Sequence, residues 1–209
     1  MAHVTYIDMD SYKRRAHFDY FRGLAYPYVG MTVNVDITDW LIKNKQSGRR
    51  FFLPFLYAVA RAANAVPELR QRIEGDRIIE FDSCPVSYTL ALPGDTYCFC
   101  RLDCNLPFSE FMAKGEADRQ AAMQNRPLDD EDDPSLLYIS CLPWVSYTAL
   151  VQPVPQPADS NPRITWGKYF EQGGRTLIPV SLLGHHALVD GLHAARFYEQ
   201  LDAALAEEF

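Results

Sequence analysis

Two spacings of apolar residues divide the chain. Strict alternation, as a half-buried strand needs, runs through Met31, Thr32, Val33, Asn34, Val35, Asp36 and Ile37, closing an aromatic and β-branched stretch over 25–36. Further strands are expected at VTYID near the N-terminus, RIIEF (77–81), VSYTLAL (86–92), 97–102, ITWGKY (164–169) and 176–184, with turns at Pro93-Gly94-Asp95 and Gly173-Gly174. Helical spacing appears over 13–23, where His17, Phe18 and Phe21 recur, and over 37–45, with Asp36 or Thr38 as its cap. It returns over 52–66, where Pro54 falls in the tolerated first turn, and Pro67 is expected to restart a helix as PELRQRI. A long helix follows over 108–124. A last one, 192–209, sets Leu192, Ala195, Tyr198, Leu201 and Leu205 on one face.

Between these lie DDEDD (129–133), read as a solvated loop, and an apolar run over 136–150 broken at Leu142-Pro143. Residues 151–163 hold four prolines and read as an exposed connection. Strands and helices interleave without repeat or linker. One α/β domain over 1–209 is expected, with a mixed β-sheet flanked by helices.

Composition narrows the function classes. With 209 residues, 48% of them hydrophobic, the chain can bury a substantial core. A net charge of −7 argues against nucleic acid as a partner. No apolar run approaches the roughly 20 residues that span a bilayer, so no membrane partner is expected. The polar N-terminus has no secretory pattern. Five cysteines, an odd number without framework spacing, suggest reduced thiols and a cytoplasmic location. Cys98, Cys100 and Cys104 cluster, but no fourth ligand lies near for zinc.

One stretch concentrates the candidate chemistry: SLLGHHALVDGL, 181–192. His186 and Asp190 stand four apart and would share a face of a helical turn. Three readings fit that spacing. The carboxylate could orient an imidazole base. His185, His186, Asp190 and His193 could bind a metal. Asp190-Gly191 could simply turn the chain and cap the last helix. Dinucleotide, Walker and nucleophile-elbow motifs are absent, so those chemistries lose their usual support.

HHALVDGLHAARFYEQL (185–201) resembles the H-H-A-x-x-D-G-x-H signature of the trimeric, acetyl-CoA-dependent chloramphenicol acetyltransferase family. KRRAHF (13–18), VNVDIT (33–38), ARAANAVPELR (60–70), SCLPWVSYT (140–148) and TWGKYFEQGGRTLIPVSL (165–182) resemble that family's segments in order and approximate spacing. The resemblance covers nearly the whole chain and implies the CoA-dependent acyltransferase fold.

It also implies roles. His186 would be the general base, Ser140 the oxyanion donor, and Thr165 the holder of a water near the same intermediate. Asp190 would pair with Arg14, Arg15 being the reserve. Trp144, Lys168 and Tyr169 would line the coenzyme side. Arg49 and Arg50 lie near a family basic position, without a firm match. Phe21, Tyr26, Tyr97 and Phe99 would wall an acceptor pocket whose sequence, over 21–31 and 90–102, departs from the family pattern. The implied partners are acetyl-CoA, a small hydroxyl acceptor and two further copies of the chain, with active sites at the interfaces and no metal. Chloramphenicol is the implied acceptor, and the implied role is antibiotic resistance. Another hydroxyl compound and a non-catalytic trimeric binding protein are the alternatives. The catalytic domains of dihydrolipoamide acyltransferases share the H-H-x-x-x-D-G motif, but upstream lipoyl domains are not expected here.

Overall fold

The computed structural model describes residues 3–124 and 133–207. DDEDD therefore lies outside the described residues except for Asp133.

The described residues form ten strands and five α-helices, interleaved along the chain. In order they are β1 (Val4–Tyr6), α1 (Arg15–Phe21), β2 (Tyr28–Asp36), α2 (Thr38–Gln46), α3 (Phe52–Asn64), β3 (Gln71–Glu74), β4 (Arg77–Phe81), β5 (Val86–Leu92) and β6 (Thr96–Leu102). Then come α4 (Phe108–Ala122), β7 (Leu137–Leu142), β8 (Arg163–Gly167), β9 (Phe170–Gln172), β10 (Arg175–His185) and α5 (Gly191–Ala206). The main sheet runs β2-β10-β8-β7-β5-β6, with β9 paired to β10; β1-β4-β3 form a second, small sheet. The β5–β7 and β7–β8 pairings are parallel and the rest antiparallel, so the sheet is mixed as expected.

Helix α3 is the centre of the core. Leu53, Phe55, Leu56, Ala58, Val59 and Ala60 are all buried, so the helix is apolar on nearly every side, as a helix enclosed by others must be. Pro54 falls in its first turn, where no backbone N–H is needed. At α2 the backbone cap is Ile37, and Asp36 Oδ1 accepts both the Thr38 N–H (3.0 Å) and its hydroxyl (2.6 Å), so the helix starts at Thr38, one residue later than expected.

Three expectations are corrected. Pro67 opens a single 3₁₀ turn (Pro67–Leu69) rather than a helix. The following residues form β3, where Ile73 and Ile78 pair across a hairpin at Gly75, whose φ of 60° is easy for glycine. Strand pairing overrides the weak helical spacing of PELRQRI. Residues 151–163, read as an exposed connection, are not exposed throughout: Val151 and Val154, with Leu150 before them, line a cavity, and Ser160 and Asn161 are buried. On α5 the buried face is His193, Ala194, Phe197, Tyr198, Leu201, Ala204 and Leu205, while Leu192 is 59% exposed. The stripe is rotated because His193, a polar residue, occupies a core-facing position.

Candidate active site

Strand β10 and the turn after it present the first group of functional side chains. Tyr28 on β2 is the register partner of His185, the last residue of β10. The chain then reverses: Leu188 N–H (2.9 Å) and Val189 N–H (3.0 Å) donate to the His185 carbonyl. Gly184 makes this turn possible, because a Cβ there would overlap Val189 Cγ2. His186 is fixed from three sides. Its backbone N–H donates to the Pro27 carbonyl at 2.7 Å, its ring stacks on Phe21 at 3.7 Å, and its Nδ1 lies 2.9 Å from the Val189 carbonyl. A carbonyl only accepts, so Nδ1 carries the proton and Nε2 keeps its lone pair. That is the tautomer a general base needs.

His185 has the opposite arrangement. Its Nδ1 accepts the Ala187 N–H at 3.2 Å, inside the turn. Burial lowers its pKa to about 4, with Asp159 pulling it up and His186 pushing it further down. It is a neutral strut of the turn.

Asp190 caps α5: Oδ1 accepts the Leu192 N–H at 3.0 Å, and the Asp190 N–H donates to His193 Nδ1 at 3.0 Å. Its Oδ2 is bound by Arg14 Nη1. Burial is the largest influence and works against the charged carboxylate, but the Arg14 hydrogen bond and charge, His193 and the Leu192 N–H together outweigh it, and the pKa falls below the usual range. Arg15 turns away to Asp19 on the exposed side of α1, at 2.7 Å. Arg14, not Arg15, is thus the partner. His193 Nδ1 is also 3.0 Å from Asp190 Oδ1, and His193 Nε2 is 3.4 Å from Glu68. Burial lowers the His193 pKa despite both carboxylates. The neutral ring, taking the Asp190 N–H at Nδ1 and facing Glu68 with Nε2–H, satisfies both contacts. Each of the three histidines thus spends a ring nitrogen on its own loop or cap. Asp190 both caps α5 and binds Arg14, and it makes no ion pair or hydrogen bond to His186.

The second group lines a cavity of about 1200 Å³ bounded by β5, β6, β7 and the 150–155 segment. Ser140 and Thr165 are register partners on β7 and β8, and Thr165 is also opposite Ser181 on β10. Ser140 Oγ is 3.1 Å from Thr89 Oγ1, and Thr165 is buried at 4% exposure, its carbonyl accepting Tyr147 Oη–H at 2.8 Å. Tyr97 and Phe99 form one wall and Trp144, 70% exposed, forms the rim. Lys168 and Tyr169 follow β8 outside the lining. Lys168 N–H donates to the Val145 carbonyl at 2.8 Å, and Tyr169 stacks on Phe51 at 5.7 Å. Phe21 stacks on the His186 ring, and Tyr26 lies exposed beside Tyr28 at 5.3 Å.

The two groups do not meet within one chain. His186 follows Ser181 by five residues, about 17 Å of strand, and Ser140 lies two strands further across, about 10 Å. His186 contributes nothing to the cavity lining.

Several residues were invisible to sequence reading. Arg72 is fully buried and, among the described residues, has no carboxylate partner; it donates to the carbonyls of Pro134 (2.6 Å), Leu69 (2.9 Å), Gln71 (2.6 Å) and Leu136 (3.0 Å). Asn161 also binds the Leu136 carbonyl, at 2.9 Å. Together they fix the approach to β7 and so to Ser140. Tyr28, Asp159 and Arg163 form a further linked set. An arginine opening an otherwise apolar strand was the one available signal.

This architecture is that of the CoA-dependent acyltransferases. A solved chloramphenicol acetyltransferase superposes with a TM-score of 0.84 at 25% identity, over 97% of this chain and 100% of that one. A probable dihydrolipoamide acetyltransferase from Listeria monocytogenes shares the fold, with a TM-score of 0.69 at 17% identity, over 93% of this chain and 92% of that one. A family model for chloramphenicol acetyltransferase matches residues 2–202. Chloramphenicol acetyltransferase 3 of Escherichia coli is 31% identical over 204 residues, and chloramphenicol acetyltransferase 2 of the same organism 32% identical over 202, each covering 94% of both chains. The chain belongs to the chloramphenicol acetyltransferase family.

Proposed function

We propose that this chain moves the acetyl group of acetyl-CoA to a hydroxyl of chloramphenicol or a similar compound. His186 Nε2 takes the hydroxyl proton as the oxygen attacks the thioester carbonyl. Ser140 Oγ–H donates to the oxyanion of the tetrahedral intermediate, a contact worth roughly 3 kcal/mol of barrier. Thr165, beside Ser140, holds a water at the same centre. As the intermediate collapses, the C–S bond breaks and His186 returns its proton to the departing sulfur. Trp144, Lys168 and Tyr169 serve the coenzyme side; Tyr97 and Phe99 serve the acceptor. Arg14 and Asp190 hold the turn that carries the base. Acetyl-CoA as donor and five free cysteines favour the cytoplasm.

The observation that carries this reading is the His186 geometry: Nδ1 bonded to the Val189 carbonyl, leaving a basic Nε2. The distance between His186 and Ser140 supports a homotrimer in which the base of one protomer faces the cavity of the next. A second reading keeps the reaction but changes the acceptor, because the cavity wall includes the charged pair Asp159 and Arg163.

The test is thiol release from acetyl-CoA with and without chloramphenicol. Release that requires chloramphenicol and disappears in His186→Ala is expected. Slow thioester hydrolysis, lost in His186→Ala but indifferent to chloramphenicol, would favour the second reading. No release and no coenzyme binding would favour a non-catalytic binding protein.

A further inference from the structure

Asp159 and Arg163 line the cavity with side chains only 23% and 11% exposed. Arg163 grips both carboxylate oxygens, Nη1 to Oδ1 at 2.9 Å and Nη2 to Oδ2 at 2.8 Å, and also donates to the Asn161 carbonyl at 3.0 Å. An ion pair at such a position rarely stabilises more than apolar side chains of the same size would. Fold stability alone therefore does not explain it.

Its contacts lead to the base. Tyr28 Oη–H faces Asp159 Oδ1 at 2.8 Å and the Asp159 carbonyl at 3.0 Å. The Arg163 guanidinium lies 6.0 Å from the Tyr28 ring centre and 5.2 Å from that of Tyr138, boxing the pair between two aromatic faces. The Tyr28 ring meets His185 edge-on at 5.7 Å, and the preceding residue, Pro27, accepts the His186 backbone N–H. A shift of the 27–28 segment therefore moves the backbone of His186 directly.

We propose that Asp159, clamped by Arg163, is a positioning residue for the acetyl-transfer reaction: by anchoring the Tyr28 hydroxyl it fixes the segment to which His186 is hydrogen-bonded. The inference rests on the acetyl-transfer reading above. It ties a cavity wall to the base of the same chain through the Tyr28 hydroxyl and the Pro27 carbonyl.

Tyr28→Phe is the sharpest test, since it removes one oxygen and keeps the ring on His185. Asp159→Asn is its companion. Thiol release from acetyl-CoA with chloramphenicol is followed to give kcat and both KM values, with thermal unfolding alongside. Each variant is expected to lose about tenfold or more in kcat, because small misplacements of reacting groups are expensive in rate. KM for acetyl-CoA should hold, and Tyr28→Phe should unfold near the wild-type temperature. The double variant should lose no more than the worse single one, as residues on one path do. A folded Tyr28→Phe with wild-type kcat overturns the proposal. So does a rise in acceptor KM at constant kcat, which would make the pair a direct acceptor contact. A wild-type protein without turnover sinks the acetyl-transfer reading itself, and this inference with it.

Discussion

Arg14 and Asp190 are 176 positions apart in sequence, and the guanidinium of one binds the carboxylate of the other at the N-terminus of α5. The contact joins the segment before α1 to the turn that carries His186. Asp190→Asn keeps part of the cap and removes the charge. It is expected to cost about 1–3 kcal/mol, since the pair is only partly buried, and to lower activity in parallel. Thermal unfolding and kcat measured on the same preparation check this. A large activity loss at unchanged stability would instead assign Asp190 a direct chemical part.

His186→Ala is expected to lower kcat/KM by about 10²–10⁴-fold without lowering the unfolding temperature. The ring is half-buried and makes one side-chain hydrogen bond, so its removal leaves the core intact. Phe21→Ala, which frees the imidazole face, should give a smaller loss in kcat of about tenfold.

Ser140→Ala is expected to reduce kcat by about 10²–10³-fold with little change in either KM, the pattern of a contact made in the transition state. Thr89→Val, which removes the neighbouring hydroxyl at 3.1 Å, should have a milder effect.

Acid should weaken the fold in two stages. His185 has a folded pKa near 4, below its unfolded value of about 6.5, so the unfolded chain binds the proton first. Stability therefore declines as pH falls from about 6.5 toward 4. Asp190, whose pKa is depressed when folded, contributes stability above its unfolded value, and that contribution is lost at still lower pH. Urea unfolding as a function of pH reads both. His193, whose pKa burial also lowers, adds to the upper stage, so His185→Asn should flatten that stage in part, and Asp190→Asn should flatten the lower one.

Gly184→Ala is expected to destabilise by about 1–3 kcal/mol, because the new methyl meets Val189 Cγ2. Val189→Ala in the same chain should recover part of the loss, and a double-mutant cycle measures how much.

The alternation at Met31–Ile37 and the apolar run of α3 were legible because burial on one face, or on all, leaves a direct trace in residue type. Gln71–Glu74 was not, since its strand state comes from pairing with β4. The choice between Arg14 and Arg15 needed the helix start: residue 15 falls within α1 on its exposed face, and residue 14 just before it. The candidate roles of His186, Ser140 and Thr165 came from motif resemblance alone, and the placement of these residues on two separate surfaces of one chain did not. The Tyr28–Asp159 hydrogen bond spans 131 positions, from the first residue of β2 to the connection before β8, with no periodicity or motif to expose it.

That separation of surfaces has a genetic consequence. If the base of one copy serves the cavity of the next, a His186→Ala chain and a Ser140→Ala chain carry complementary lesions. Each alone is inert, yet co-assembled rings contain some junctions where an intact histidine meets an intact serine. Random 1:1 mixing leaves about a quarter of junctions whole in a cyclic assembly. Two dead alleles expressed together should restore measurable acetyl transfer, whereas two lesions on the same surface should not.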